Sequence, residues 1–436
     1  MQVKSLKRYY AKIEDLIPFE VYGYITKVVG ILLESSGPKL KVGNLCCILG
    51  REVETLAEVV GFKEDKLQLI ALKEIRGLEI GAKVIPLNRS NCPVGHSFIG
   101  RVVNALGEPL DFKDKPIPED FYPLYGEPLK PLERERIKEI LDVGIKAINT
   151  LLTIGVGQRV AIMAGSGVGK STLLGMLARY TKADINVIAL IGERGREVRE
   201  FIERDLGEEG LKRSVVVVST SDESPALRIR AAYYATALAE YFRDQGKKVL
   251  LLMDSLTRFC MAGREIGLAG GEPPTARGYT PSVFAMLPRL LERVGPKIGS
   301  GSITAIYTVL VEGDDMNDPI ADAVRSIVDG HIVLSRELAQ EGHYPPIDVL
   351  ASISRVMRDI VPKEQIKLSQ EVISLLATYK RAEDLINIGA YVKGSNPEID
   401  KALELVPKLK AFLKQEVEEG FTYEKAYNEL KNLLKT

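Results

Sequence analysis

The sequence predicts a multidomain protein of three parts: a small all-β domain, an α/β domain built on a mostly parallel sheet, and a helical C-terminal domain. Short β-rich runs broken by glycines fill residues 19–87, a pattern typical of a small barrel or sandwich. Apolar strand-like runs then alternate with amphipathic helix-like stretches, which is typical of a parallel sheet covered by helices on both faces. After about residue 361 the strand-like runs stop, and helical periodicity continues.

Composition excludes several classes of protein. Apolar residues make up 45% of the chain and charged residues 27%, which is ordinary for a soluble globular protein. Lys+Arg and Asp+Glu balance at 59 each, so no net field attracts nucleic acid or an anionic membrane. No apolar run is long enough to predict a transmembrane helix, and the N-terminus lacks the apolar core of a signal peptide. Four cysteines without C-x-x-C spacing and three histidines without a metal-binding motif predict a cytoplasmic protein with free thiols.

We divide the chain into residues 1–18, an N-terminal amphipathic helix; 19–90, the β domain; 91–362, the α/β domain; and 363–436, the helical domain. The N-terminal helix has apolar residues at three- and four-residue spacing, namely Val3, Leu6, Tyr10, Ile13 and Ile17. Its other face is lysine-rich, so it either packs on the body or docks a partner or anionic lipid. The β domain gathers no acid–base or metal cluster, and we expect it to make oligomer contacts.

The pattern also predicts individual elements. Strands are expected in the β domain at residues 21–29, 45–49, 55–60, 67–72 and 83–86. A proline-rich extended linker covers residues 108–131, and helical periodicity resumes over residues 137–148. Further strands are expected at residues 187–191, 215–219, 249–253, 303–310 and 331–334, with a long helix at 226–243. Helices at 365–376, 382–388, 397–415 and 423–434 complete the chain, the third capped by Asn396 with Pro397 at its first position.

One glycine-rich loop, Ala164-Gly-Ser-Gly-Val-Gly-Lys-Ser-Thr172, follows an apolar run and precedes a helix-like segment. Strand, glycine-rich turn and helix together form the context of a phosphate-binding loop, whose backbone N–H groups and helix dipole hold an anion. Lys170 would reach the β- and γ-phosphates, and the Ser171 hydroxyl would bind Mg²⁺. The predicted nucleotide-binding residues of the loop are Gly165, Ser166, Gly167, Val168, Gly169, Lys170, Ser171 and Thr172. The alternative is a glycine-rich turn with an incidental Lys-Ser pair.

Two acidic positions follow predicted strands and are expected at the same sheet edge. Asp254 ends the run Val249-Leu-Leu-Leu-Met-Asp254 and is placed to support Mg²⁺. Glu193, in Gly192-Glu-Arg-Gly-Arg-Glu197, is the candidate general base that activates water. Glu197, one turn further on, is a weaker candidate for the Mg²⁺ shell. The alternative for the latter segment is a solvated helix start with alternating charges.

Two later residues complete the candidate set. Arg355 follows a mostly apolar run, and phosphoryl transfer is commonly completed by an arginine supplied across a subunit boundary. Spacing alone favours a surface salt bridge for it. Tyr344, before Pro345-Pro346, either stacks on adenine or lies in a rigid packed turn.

With these residues assigned, the chain resembles the export ATPases of flagellar and type III secretion systems, which are relatives of the catalytic subunit of rotary ATP synthases. The motifs that carry the resemblance are Pro93-Val-Gly, Gly100-Arg-Val-Val, Leu106-Gly-Glu-Pro-Leu, Gly192-Glu-Arg-Gly-Arg-Glu-Val, Val249-Leu-Leu-Leu-Met-Asp-Ser-Leu-Thr-Arg-Phe, Gly271-Glu-Pro-Pro, Arg277-Gly-Tyr-Thr-Pro-Ser-Val-Phe, Asp329-Gly-His-Ile-Val-Leu-Ser-Arg-Glu-Leu and Ser352-Ile-Ser-Arg. The set looks more like the flagellar branch than the rotary subunits.

The resemblance implies a β-barrel N-domain, a RecA-like ATPase core and a helical C-domain that faces the export gate. It also implies a homohexamer that binds ATP and Mg²⁺ between subunits, with Lys170 and Ser171 on phosphate and metal and Asp254 supporting the metal. On those terms Glu193 activates water, Arg355 enters the neighbour's site, and Tyr344 stacks on adenine.

The partners implied by this resemblance are a stator-like regulator at the N-terminus, stalk and export-gate proteins, and exported substrates with their chaperones. The protein would then be cytoplasmic and would associate peripherally with the inner membrane face of the export apparatus. Two alternatives stay open: a catalytic subunit of a rotary ATP synthase or ion pump, and a non-catalytic nucleotide-binding assembly subunit. The charge of the chain is balanced, and its β domain contains no recognisable functional cluster. Neither feature supports specific nucleic-acid binding.

Overall fold

The computed structural model describes residues 21–87, 91–311, 313 and 315–435. The helix predicted at residues 1–18 lies outside the described residues. The chain divides into two compact units, one within Met1–Ser90 and one within Asn91–Thr436. In the part that the structure describes, no helix is long and apolar enough to cross a membrane.

The first unit is a closed six-stranded antiparallel barrel. Its strands are β1 (Gly23–Val29), β2 (Leu32–Ser35), β3 (Leu45–Leu49), β4 (Glu54–Lys63), β5 (Lys66–Ala71) and β6 (Lys83–Pro86), in the order β1-β2-β5-β4-β3-β6. Alternate side chains such as Ile25, Leu33 and Val84 fill the interior. The predicted β domain is therefore confirmed as a barrel. Strand β2 was not predicted, because four residues behind a tight turn give too short a pattern.

The second unit is built around a nine-stranded sheet. Its strands are β8 (Arg101–Asn104), β10 (Arg159–Ala164), β11 (Ile185–Glu193), β12 (Ser214–Thr220), β13 (Lys248–Asp254), β14 (Gly295–Pro296), β15 (Ser302–Leu310), β16 (Gly330–Leu334) and β17 (Ile347–Ser354). The order β17-β16-β10-β15-β13-β11-β12-β8 is parallel from β16 to β8. Only β17, at one border, and the short β14 beside β15 run antiparallel to their neighbours. The mostly parallel sheet predicted from the apolar runs is confirmed.

Helices cover both faces of this sheet, as the fully buried strands require. They are α1 (Lys146–Leu151), α2 (Lys170–Tyr180), α3 (Gly195–Glu200), α4 (Gly207–Lys212), α5 (Pro225–Asp244), α6 (Leu256–Ala269), α7 (Pro281–Leu291), α8 (Pro319–Ile327) and α9 (Arg336–Gln340). The long helix α5 begins where the Ser224 hydroxyl accepts a hydrogen bond from the Leu227 amide, with Pro225 at its first position.

The segment before α1 departs from the sequence prediction. Helical periodicity predicted a helix over residues 137–148, but residues 137–145 form no helix, and the helix begins at Lys146. Backbone bonds from Leu141 N to Ile154 O and from Val156 N to Glu139 O, both 2.8 Å, hold the segment against the chain that enters β10. The prediction was wrong because apolar spacing does not reveal a pairing partner that lies further along the chain. The predicted linker, residues 108–131, contains bends and turns, and only β9 (Asp120–Pro123) within it is a strand, which pairs with β7 (Asn91–Val94).

Four helices follow the sheet: α10 (Met357–Ile360), α11 (Lys363–Asn387), α12 (Pro397–Leu413) and α13 (Tyr423–Lys435). The two helices predicted at 365–376 and 382–388 are a single helix of 25 residues. No glycine or proline separates them, so the polar stretch between them continues the helix rather than ending it. The predicted cap of α12 is confirmed, because the Asn396 side chain accepts from the amides of Glu398 and Ile399. The Gln365 side chain ties α11 to the carbonyls of Asn149 and Thr150 in α1.

A buried ion pair connects the linker to helix α5, which covers one face of the sheet. Arg293 is fully buried, and its guanidinium meets the Glu240 carboxylate of α5 at 2.9 Å and 2.5 Å. Its third bond, 2.7 Å long, goes to the Leu124 carbonyl just after β9. One guanidinium therefore joins three segments that are far apart in sequence.

We predict that Arg293→Met lowers the free energy of unfolding by about 3–5 kcal/mol, because it leaves Glu240 buried without its partner. The double variant Arg293→Met/Glu240→Leu should recover most of this loss. Lys401→Met, which removes an exposed pair with Glu371, is the control and should change stability by less than about 1 kcal/mol. Urea unfolding measures all three. A double variant as unstable as Arg293→Met would contradict the prediction.

Candidate active site

The glycine-rich loop lies at the carboxyl edge of the central sheet. Strand β10 ends at Ala164, which pairs with Leu310 on one side and Leu334 on the other. Helix α2 begins at Lys170, so its N-terminus points into this edge. Gly167 and Gly169 have φ angles of 76° and 96°, a left-handed backbone that only glycine adopts at little cost. The turn therefore needs glycine for its backbone conformation.

Three charged side chains converge beneath the loop. The Lys170 ammonium lies 2.5 Å from Asp254 Oδ1 and 3.4 Å from Glu193 Oε1. Asp254 comes from the end of β13 and Glu193 from the end of β11. The Thr308 hydroxyl of β15 donates to Asp254 Oδ1 at 2.7 Å. The structure thus brings together the lysine and two of the three acids that sequence reasoning selected, Glu193 and Asp254, at the carboxyl ends of adjacent parallel strands.

Burial shapes the protonation of this cluster. It raises the pKa of Glu193 to about 7, against the opposing attraction of Lys170 and with the added repulsion of Asp254 and Glu197. For Lys170, burial alone would lower the pKa, but the carboxylates of Asp254 and Glu193 outweigh it and raise the pKa. Glu193 is therefore a carboxyl group that changes its charge near neutral pH, which suits a general base.

The cluster opens into a cleft of about 790 Å³, within the range of small-molecule sites. The lining includes Ser171, Thr172 and Glu197. Glu197 is half-exposed at the rim, 3.6 Å from the Arg194 guanidinium. The Val168 side chain is buried in the hydrophobic core, so only its backbone could meet a ligand.

Three arginines in the cleft wall were missed by sequence reasoning: Arg194, Arg258 and Arg336. Arg258 lies in the first turn of α6, directly after the strand that ends in Asp254. Among the described residues, its buried Nε has no hydrogen-bond partner, and its Nη1 contacts Met261 Sδ at 3.8 Å. The sequence did contain a signal for Arg258, which lies four residues after the strand-terminal Asp254. A helix that follows such a strand begins at the carboxyl edge of the sheet, so a cation in its first turn is expected near the cleft.

The donor set fits a cation that is held jointly with a ligand. Among the described residues, no group of three or more His, Cys, Asp or Glu side chains could hold a metal ion. Mg²⁺ commonly takes one or two protein oxygens and completes its shell with phosphate and water. The Ser171 side chain lines the cleft, and the buried Asp254 carboxylate contacts the ammonium of Lys170, which also lines it. Both residues supply such oxygens. These residues therefore fit Mg²⁺ carried by a nucleotide.

Tyr344 lies beside the loop. A Cβ atom placed on Gly169 would be 3.8 Å from Tyr344 Cε1. The ring is half-exposed, and the Tyr344 carbonyl accepts from the Gln415 amide at 2.9 Å. A half-exposed ring at the loop is available to stack on a base, unlike a ring packed within a turn.

Arg355 lies at the opposite edge of the sheet. Strand β17 runs antiparallel to β16, with Ser354 opposite Gly330, so its C-terminal end is level with the start of β10. Strand β10 has six residues, so the five steps between its ends separate the two edges by about 16 Å at about 3.3 Å per step. Arg355 is not part of its own chain's cleft. In the part of the chain described, no carboxylate pairs with its guanidinium, so the surface salt bridge favoured by spacing is not present.

Comparison with known proteins assigns the family. Three family models cover most of the chain: "ATP synthase alpha/beta family, beta-barrel domain" at residues 25–88, "ATP synthase alpha/beta family, nucleotide-binding domain" at residues 144–354, and "T3SS EscN ATPase C-terminal domain" at residues 361–432.

Curated relatives match over nearly the whole length. The flagellum-specific ATP synthase of Bacillus subtilis is 53% identical, with 97% of each chain covered. That of Salmonella typhimurium is 49% identical, covering 96% of this chain and 95% of the relative. The type 3 secretion system ATPase of Xanthomonas euvesicatoria is 50% identical over 92% of each.

A solved structure agrees with this similarity. The assembled ATPase EscN of the enteropathogenic E. coli type III secretion system has a TM-score of 0.89 and 45% identity, with 94% of this chain and 100% of that chain covered. EscN in complex with its central stalk EscO gives a TM-score of 0.87 and 44% identity over the same shares. This chain belongs to the ATP synthase alpha/beta family, among its flagellum-specific and type III secretion ATPases.

Proposed function

We propose that this chain is a Mg²⁺-dependent ATP hydrolase that acts as a homohexamer and energises or regulates protein export through a flagellar, type III secretion apparatus. The observation that carries the proposal is the cluster of Lys170, Asp254 and Glu193 beneath a phosphate-binding loop. Near-full-length similarity to ATPases of this export class supports it. The family model matched at residues 361–432 is that of a type III secretion ATPase, which favours export over a rotary ATP synthase.

Phosphate binding is the task of the loop and its lysine. The backbone N–H groups of residues 165–171 and the N-terminus of α2 form an anion site. A triphosphate competes with Asp254 and Glu193 for the Lys170 ammonium. Arg258, on the cleft wall without a carboxylate partner among the described residues, adds positive charge for phosphate oxygens.

The two acids have separate proposed roles, one in binding the metal and one in activating water. Ser171 and Asp254 would hold Mg²⁺, which neutralises charge on the β- and γ-phosphates. Glu193, with its pKa raised by burial to about 7, orients water and takes its proton. Intact Lys170 and Glu193 argue against the non-catalytic assembly subunit.

A second subunit completes the site in this proposal. Arg355 lies outside its own cleft and carries an unneutralised charge, as suits an arginine that enters a neighbour's site. Tyr344 lies beside the loop and would stack on the adenine ring. The similarity to EscN, whose structure is that of an assembled ATPase, supports a ring.

The partners that we propose follow from the export function. A stalk protein in the ring is supported by the complex of EscN with its central stalk EscO. Export-gate proteins, exported substrates with their chaperones, and a stator-like regulator at residues 1–18 are further proposed partners. We propose that the protein is cytoplasmic and reaches the inner membrane face through the export apparatus.

The proposal is tested by Glu193→Gln in the full chain. We expect the variant to bind Mg-ATP with unchanged affinity but to release phosphate at least about 100-fold more slowly, because the base is lost while the loop is intact. Glu200→Gln, at an exposed carboxylate paired with Arg196, is the control and should retain the wild-type rate. Turnover retained by Glu193→Gln would place the base elsewhere.

The raised pKa of Glu193 also predicts a pH dependence of stability in the absence of nucleotide. The unfolded carboxyl ionises near 4.5 and the folded one near 7, so the folded state binds more protons between these values. Its contribution to stability therefore falls as the pH rises through this window. Because Gln cannot ionise, the melting temperature of Glu193→Gln relative to wild type should rise between about pH 5 and about pH 8. Equal differences at both pH values would contradict the assigned environment.

Arg355→Ala tests the shared site. We expect nucleotide binding by the isolated chain to be unchanged, while kcat falls by about a thousandfold or more. The rise of specific activity with protein concentration should also disappear, since the arginine acts in another subunit. Phosphate release measured across a concentration series shows both effects. A rise that persists in Arg355→Ala would exclude this residue as the shared arginine.

A further inference from the structure

The guanidinium of Arg355 is held by backbone carbonyls at the C-terminal end of α8. Its Nη2 donates to Arg325 O at 3.1 Å and its Nη1 to Val328 O at 3.2 Å. The Arg355 backbone amide donates to Asp329 O at 3.0 Å. Carbonyls at a helix C-terminus carry partial negative charge and attract a cation without neutralising it. We call residues 325–329 the carbonyl seat.

The carbonyl seat is fastened to the central strand by one side chain. The Asp329 carboxylate accepts from the backbone amide of Arg159 at 3.0 Å, from its Nε at 3.1 Å and from its Nη2 at 3.0 Å. In return the Asp329 amide donates to Arg159 O at 2.9 Å. Arg159 is the first residue of β10 and also lies 2.6 Å from Glu292 Oε1. Asp329 therefore fixes the seat to the strand that carries the phosphate-binding loop.

A second contact aligns the two segments. The Gln158 side-chain amide lies 3.2 Å from Asp329 O and 3.1 Å from Ser354 Oγ. Gly330 packs so closely on β17 that an added Cβ would lie 2.6 Å from Ile353 O. The start of β16 and the end of β17 are thus held in register next to Arg355.

We propose that Asp329, held by Arg159, is the positioning residue for the arginine that Arg355 contributes to the neighbouring subunit. The inference rests on the proposed role of Arg355. An exposed arginine loses side-chain entropy when it is ordered, and a preformed seat removes part of this cost before the subunits meet. Carbonyls orient the guanidinium and leave its charge for phosphate, whereas a carboxylate would neutralise it.

The chain offers a matched control for the substitution of Asp329. Arg101 and Asp111 form a second two-pronged pair, at 2.7 Å and 2.9 Å, with both side chains mostly buried. Arg101 belongs to β8, the border strand at the far side of the sheet from β17. Loss of this pair tests whether breaking any buried Arg–Asp pair in the sheet lowers activity.

The experiment compares Asp329→Asn, Arg355→Ala, the double variant and Asp111→Asn as full-length chains. Phosphate release over a protein concentration series gives kcat and KM, and nucleotide titration of dilute protein gives affinity. We expect Asp329→Asn to lower kcat at least tenfold and to change the nucleotide affinity of the isolated chain less than twofold. The double variant should be no slower than Arg355→Ala, because both substitutions remove the same function, that of the Arg355 guanidinium. Asp111→Asn should keep the wild-type kcat.

The outcomes separate this inference from the proposed function. If Arg355→Ala retains kcat, the role of Arg355 is wrong. If Arg355→Ala is impaired while Asp329→Asn is within twofold of wild type, the positioning role alone is wrong. A further loss in the double variant would also overturn it. Should Asp329→Asn not fold, Arg159→Lys keeps the cation but cannot make the two-pronged bond, and the same tenfold loss and non-additivity are required of it.

Discussion

The active site depends on one ammonium group that is buried between two carboxylates. Lys170 could not remain charged in this position without Asp254 and Glu193, because burial of an unpaired charge is costly. The acids in turn depend on Lys170, since two buried carboxylates repel each other. In the proposed mechanism, a triphosphate that draws Lys170 towards itself would release both acids together, Asp254 to support the metal and Glu193 to activate water. Phosphate binding and the preparation of the catalytic groups are therefore one electrostatic event.

Sheet topology decides where each charge is placed. Parallel strands deliver Glu193, Asp254 and the phosphate-binding loop to the same edge. The single antiparallel border strand, β17, carries Arg355 to the other edge. Because one strand runs in reverse, the chain holds all the proposed groups of a hydrolytic site yet cannot gather them in its own cleft. The need for a neighbour follows from strand direction.

Much of this arrangement was predictable from sequence, and the exceptions have physical causes. The long apolar runs predicted the parallel sheet, and the glycine spacing predicted a small barrel or sandwich, because both patterns are local. Residues 137–145 were misassigned because their partner, the chain around Gly155, is remote in sequence. The same limit applies to the site. The strand-terminal positions of Glu193 and Asp254 could be read directly, whereas the cleft position of Arg258 and the direction of β17 could not.

The cations near the two ends of the central strand β10 have different partners. At its C-terminal end, Lys170 is enclosed by carboxylates and its charge is neutralised until a phosphate competes. At its N-terminal end, the Asp329 carboxylate pairs with Arg159 rather than with Arg355. Among the described residues, the Arg355 guanidinium is therefore held by backbone carbonyls alone. A carboxylate beside Arg355 would have held it more firmly, but it would have cancelled the charge that a neighbour's phosphate requires. In the isolated chain Lys170 is paired with carboxylates, whereas Arg355 contacts only carbonyls among the described residues. On the role that we propose for Arg355, full activity would therefore require the assembled ring.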